Sequence, residues 1–84
     1  MDRELEDLKF IKRKNIECLD RLRVLSREIE EIISFVKSDK EWKENNRLGN
    51  IENQYISSKS ELVDTLNIID IYLGYKIRKE NKNE

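Results

Sequence analysis

Residues 8–36 read LKFIKRKNIECLDRLRVLSREIEEIISFV, and this stretch sets the fold. Its apolar residues recur at alternating steps of three and four, the seven-residue pattern that keeps one side of a helix facing a partner helix in a coiled coil. The pattern predicts a long amphipathic helix over about residues 3–37, with Leu19 and Ile33 widening its apolar stripe. The predicted seam consists of Leu8, Ile11, Asn15, Cys18, Leu22, Leu25, Ile29, Ile32 and Val36.

A second amphipathic segment covers about residues 50–81. At about 100° per residue its apolar side chains fall within roughly 80° of one another, which predicts a second long helix. A capping-type sequence at residues 58–61, SKSE, leaves a break near Ser58 as an alternative. The stripe of this helix consists of Leu48, Ile51, Tyr55, Leu62, Leu66, Ile69, Leu73 and Ile77.

The polar stretch between these segments predicts a corner. Residues 38–41, SDKE, match a capping box in which Ser38 and Glu41 accept backbone N–H groups at the start of a helix. Gly49 then provides a stop signal, so a short helix over about 39–47 is predicted. Trp42 is expected to pack at the closed end, with a partner-binding anchor as the alternative. The predicted fold is all-α: one domain, residues 1–84, forming an antiparallel helical hairpin with residue i near 87 minus i.

The predicted hairpin has apolar residues on more than one face. A chain of 84 residues buries only about 60 to 65% of the surface that its unfolded form exposes. Association with a second copy or another protein, completing a four-helix bundle, would cover what remains; coverage within one chain is the alternative. The candidate partner-binding residues are Phe10, Ile68, Ile71, Tyr72 and Tyr75.

The residue types argue against catalysis. The chain has no His, no Gly-rich phosphate loop and a single cysteine, Cys18, which is expected to be a small buried hydrophobe. We therefore expect no enzyme activity, cofactor, metal or small-molecule substrate. The charged N-terminus lacks the apolar run of a signal peptide and no stretch is apolar enough for a membrane span, so a cytoplasmic protein is expected.

Basic residues near the predicted open end raise nucleic-acid binding as a second hypothesis. Phe10 and Tyr75 could stack on bases beside them. Solvated helix faces are the plainer interpretation, because Glu4, Glu6 and Asp7 lie in the same region and the net charge is -1. The candidate phosphate-binding residues are Lys12, Arg13, Lys14, Lys76, Arg78 and Lys79.

Two family resemblances add further hypotheses. A Trp between two long helices resembles the WXG-type helical hairpins of type VII secretion, which implies a dimer or an escort for a larger protein. Residues 42–44, WKE, carry Glu where that family has Gly. Residues 26–33, SREIEEII, are similar to the SQELD-x-L-I stretch of Spo0E-like aspartyl-phosphate phosphatases, which would put Glu30 at the position of the key Asp. The leading prediction remains a non-catalytic interaction or assembly protein.

Overall fold

The computed structural model describes residues 2–44 and 46–82, with side chains described for 3–44 and 50–82. Helix α1 spans Asp2–Lys37, α2 spans Lys40–Glu44 and α3 spans Asn46–Lys82. Throughout these ranges the chain contains helices and a turn but no strand. Helices α1 and α3 pack against each other as an antiparallel pair, which confirms the predicted all-α hairpin with a short connecting helix.

The corner differs in detail from the prediction. Asp39 caps α2, because its carboxylate accepts the backbone N–H of Glu41 at 2.8 Å. Ser38 instead donates its hydroxyl to the carbonyl oxygen of Phe35 at 2.6 Å and so completes the end of α1. The capping-box assignment was therefore wrong by one residue, since α2 begins at Lys40.

The third helix is longer and more regular than expected. It begins at Asn46 and runs through Gly49, where the sequence had predicted a stop, and it continues without a break past Ser58. The connecting helix is correspondingly short, and none of its five residues is buried. Trp42 within it is half-buried. The side chain of Leu48, a predicted seam residue, lies outside the described side chains.

The seam between α1 and α3 has a different phase from the predicted one. Leu8, Leu22, Ile29 and Val36 face α3 as predicted. The other predicted row of α1 was wrong, because Ile11, Cys18, Leu25 and Ile32 are exposed. The inward positions one residue further along are occupied by Lys12, Leu19, Ser26 and Ile33. On α3, likewise, Ile51, Leu62 and Ile69 are exposed, while Val63, Leu66, Leu73 and Ile77 turn inward.

Polar contacts fix the hairpin at several levels along its length. Near the open end Lys12 pairs with Asp70 at 2.7 Å, and Asn15 donates its amide N–H to the carbonyl oxygen of Leu66 at 2.8 Å. Near the corner Lys37 pairs with Glu52 at 3.1 Å. These pairs place residue i of α1 opposite residues on either side of 87 minus i, so the predicted register is approximate.

The hairpin is elongated. It measures 63 × 17 × 12 Å between Cα atoms, and its radius of gyration is 19.0 Å, whereas a compact domain of this length has a radius of gyration of about 12 Å. Two helices lying side by side therefore leave most of their surface in contact with solvent.

Among the described residues, none of the helices combines the length and apolar character that crossing a bilayer requires.

Candidate interaction surface

The hairpin encloses very little core. Among the described side chains, only Leu5 and Leu73 are buried apolar residues, and two further buried positions are the polar Asn15 and Ser26. The accessible surface is 7107 Å², compared with about 5,300 Å² for a folded monomer of this mass. The chain thus exposes roughly 1,800 Å² more than a self-contained domain of its size would.

Six exposed residues lie along one flank of the hairpin, which we call the lateral apolar face. On α1 each of its residues directly precedes an inward-facing residue, so the four share one edge of the helix at a spacing of seven. Two residues of α3 bear the same relation to Val63 and Asp70. All six are exposed. The lateral apolar face consists of Ile11, Cys18, Leu25 and Ile32 of α1 and Leu62 and Ile69 of α3.

A cleft on the opposite flank shows which side of the hairpin the lateral apolar face occupies. Arg23 and Asn67 each directly follow an inward-facing residue, and the two line one cleft together with seam residues. The residues that directly follow Leu22 and Leu66 therefore lie on that flank, and the residues that directly precede Leu19 and Val63 lie on the other. The Arg23 flank is mainly polar, with Ile16 and Ile56 as exposed apolar residues. The hairpin thus has one polar and one apolar flank.

The candidate partner-binding residues of the sequence analysis form a second surface, on the outside of α3. Ile68, Ile71, Tyr72 and Tyr75 are all exposed, and together they form what we call the outer row. Phe10 is also exposed, but it lies on α1 and lines a cleft formed by that helix alone. The structure therefore does not bring Phe10 together with the outer row.

Sequence reasoning missed the lateral apolar face as a surface, because it assigned all six of its residues to the apolar stripes of the predicted seam. The width of the apolar stripe on α1 indicated such a surface. The stripe covers three of every seven positions, whereas a seam between two helices needs only two. A stripe of that width is typical of helices that pack against two neighbours. The hairpin provides α1 with only one.

A polar network joins the helices near the corner, around the position that resembles the phosphatase motif. Tyr55 donates its hydroxyl to the Glu30 carboxylate at 2.5 Å and lies 3.2 Å from the carbonyl oxygen of Ser26. Lys59 also pairs with Glu30, at 3.0 Å. The Tyr55 hydrogen bond, followed by that of Lys59, holds the pKa of Glu30 below its ordinary value, and the Glu30 hydrogen bond raises the pKa of Lys59. Glu30 therefore links the two helices.

This network predicts a pH-dependent contribution to stability. A carboxyl group with a lowered folded-state pKa stabilises the fold above its unfolded pKa, and that stabilisation is lost as the pH falls through the folded value. We expect Glu30→Gln to lower the urea midpoint more at pH 7 than at pH 3, as followed by circular dichroism. Glu31→Gln, at an exposed neighbouring position, should match wild type at both pH values. Equal effects of the two variants would contradict the assigned role of Glu30.

The basic residues of the nucleic-acid hypothesis are divided among different surroundings. Lys12 is paired with Asp70 in the seam. Arg13 and Lys14 line a cleft with Phe10, where the Lys14 ammonium lies 5.3 Å from the ring centre. Arg78 and Lys79 line a separate cleft with Tyr75 and Lys82 on α3, and Lys76 is half-buried. The two clefts share no residue, and residues 1–22 and 64–84 together carry ten acidic as well as ten basic side chains.

A cleft in the described part of the hairpin lies beside the Glu30 network. It has a volume of about 390 Å³ and is lined by the Lys37–Glu52 and Glu30–Lys59 ion pairs. Both cations already have carboxylate partners, so the cleft presents no unpaired charge from these four groups. Across the described residues no three His, Cys, Asp or Glu side chains gather as a metal site would require. The apolar surfaces are consequently the most distinctive feature of the molecule.

Comparisons with protein-family models, with curated proteins and with solved structures gave no match to this chain.

Proposed function

We propose that this chain is a non-catalytic interaction or assembly protein that binds helices of a partner protein through its exposed apolar faces. The observation that carries the proposal is the lateral apolar face together with the outer row, on a hairpin with two buried apolar side chains among those described. Exposed apolar rows of this extent on a small chain mark an interaction site. The helix-on-helix geometry of the hairpin extends naturally to a bundle with further helices.

The polar groups support the same proposal. The resemblance to the phosphatases would give Glu30 the place of their key Asp. The Glu30 carboxylate, however, accepts hydrogen bonds from Tyr55 and Lys59. The hairpin also consists mainly of two long, uninterrupted helices, which suit the display of long rows of side chains more than the construction of an enclosed active site.

The proposal requires that the dilute chain keep its elongated shape and leave its apolar rows accessible. Small-angle X-ray scattering, extrapolated to zero concentration, should give a radius of gyration near the 19.0 Å of the hairpin. Hydroxyl-radical footprinting at the same dilution should label Tyr72 and Tyr75 strongly. A radius of gyration near 12 Å with both tyrosines protected would mean that the chain covers its own apolar rows, and the proposal would then fail.

A further inference from the structure

We infer that a second copy of this chain covers the lateral apolar face, so that two hairpins form an antiparallel four-helix bundle with α1 lying against the partner's α1. The inference rests on the proposed function and specifies its partner. Each chain exposes roughly 1,800 Å² beyond the surface expected of a monomer, while a partner in a standard-sized interface contributes about 800 Å². The excess over the whole chain is therefore about twice what one partner contributes to such an interface.

The α1 part of the face is complementary to itself. Its four residues extend over 21 positions, or about 32 Å of helix, and they are spaced symmetrically about a point between Cys18 and Leu25. When two such helices run antiparallel about that point, Ile11 of one copy meets Ile32 of the other, and Cys18 meets Leu25. Apolar residues thus face apolar residues along the whole row, as a twofold interface requires.

The α3 part of the face lies at the same level. The contacts of Asn15 with Leu66 and of Glu30 with Lys59 fix the register of α3 on either side of Leu62. Leu62 is consequently opposite the middle of the α1 row and close to the proposed twofold axis. Leu62 of one copy would then lie near Leu62 of the other, while Ile69 lies about 10 Å along α3 from the axis, so α3 contributes the Leu62 pair to the core of the bundle.

The charges along the rim of the face also suit self-association. Lys14 and Glu28 are exposed on the side of α1 next to the apolar row, and they lie almost equally far from its midpoint. In the antiparallel arrangement Lys14 of each copy lies near Glu28 of the other. Arg21 of one copy lies near Arg21 of the other at the twofold axis. Exposure to solvent weakens the repulsion between these like charges. With a net charge of -1, two chains have little overall repulsion to overcome.

The lateral face can be tested against its immediate neighbour in the sequence. Val24 is 57% exposed and Leu25 51%, yet Leu25 belongs to the lateral apolar face and Val24 lies outside it. We expect wild type and Val24→Asp to be dimers by light scattering on a sizing column. Leu25→Asp should raise the dissociation constant on the order of 100-fold, because it buries a carboxylate in an apolar contact. Circular dichroism at matched concentrations checks that each variant remains helical.

A cross-linking experiment tests the arrangement without disrupting the face. In Leu25→Cys, residue 25 of each copy should face Cys18 of the other, and mild oxidation should give a covalent dimer. In wild type the two Cys18 residues are displaced by about 10 Å along the helices, too far for a disulfide, so no such dimer should form. Val24→Cys, which keeps Cys18 and adds a thiol outside the face, is the control and should remain uncross-linked.

The outcomes separate this inference from the proposed function. A wild-type monomer at all concentrations that is elongated and labelled at Tyr72 and Tyr75 would overturn self-association while leaving the interaction protein in place. A dimer that dissociates equally in Val24→Asp and Leu25→Asp, or that resists both, would reject this face. If Leu25→Asp loses its helicity, the cross-linking result decides: a covalent Leu25→Cys dimer supports the inference, and its absence overturns it.

Discussion

Replacing Leu73 by Ala should destabilise the hairpin by about 2–5 kcal/mol, the cost that removing a buried Leu side chain typically carries. Leu73 is only 6% exposed, and it is one of two buried apolar side chains among those described. Domains of this size have a total stability of about 4–13 kcal/mol. The substitution is therefore expected to remove a large fraction of the stability, measured as a lower urea midpoint at one fixed protein concentration.

Ile71 provides the matched control for this experiment. It lies two residues away on the same helix but is 70% exposed, and it belongs to neither the seam nor the lateral apolar face. Ile71→Ala should change the stability by no more than about 0.5 kcal/mol. An equal loss in the two variants would mean that the outer row is packed as tightly as the seam. That result would contradict the architecture described here.

The fold could be predicted from the sequence because helical periodicity is a local property. The long apolar repeats, the absence of Pro and the polar stretch near residue 40 are sufficient to predict two helices joined at a corner. The start of α2 was misplaced because Ser38 and Asp39 are both good capping residues. Only the hydrogen bonds of the folded chain show that Asp39 caps α2 while the Ser38 hydroxyl bonds to a carbonyl oxygen in the last turn of α1.

The phase of the seam could not be predicted from α1 alone. One row, containing Leu8 and Leu22, is common to both phases. The second row could be either the strongly apolar set beginning with Ile11 or the mixed set beginning with Lys12, and apolar character favours the former. The structure uses the latter, in which Lys12 pairs with Asp70 and Asn15 contacts Leu66. These partners lie more than fifty residues away in the sequence, so no periodicity within α1 reveals them.

The presence of this mixed row in the seam also explains the position of the lateral apolar face. When polar residues with partners on α3 occupy the seam, the more apolar row is left on the flank. The stability of the isolated hairpin then depends on a thin seam in which polar contacts have a large share. Asn15 is the clearest case, because it is only 7% exposed and its amide nitrogen is 2.8 Å from the carbonyl oxygen of Leu66.

Changing Asn15 to Asp should therefore cost about 3 kcal/mol of unfolding free energy at pH 7, although the two side chains have nearly the same shape. The substitution replaces an N–H donor with a carboxylate oxygen that faces the Leu66 carbonyl, in a position with little access to water. Burial and this repulsion should raise the pKa of the new carboxyl group above its unfolded value. Below the unfolded pKa, near pH 3, the protonated group can again donate a hydrogen bond, and the variant should approach wild type.

The direction in which the stability of Asn15→Asp changes with pH distinguishes a buried, unpaired carboxylate from one that pairs with a neighbouring cation. A raised folded-state pKa means that the penalty appears as the pH rises through the unfolded value and is complete above the folded one. Lys12, one turn earlier, is the cation that could lower the penalty by leaving Asp70 for the new carboxylate. Asn67→Asp, at an exposed position on the polar flank, should match wild type at both pH values. Urea unfolding of the three proteins at pH 3 and pH 7 would show which applies. An Asn15→Asp deficit present only at pH 7 supports the buried seam, and a deficit that is smaller at pH 7 than at pH 3 indicates pairing with Lys12. No deficit at either pH would mean that Asn15 is not enclosed as described.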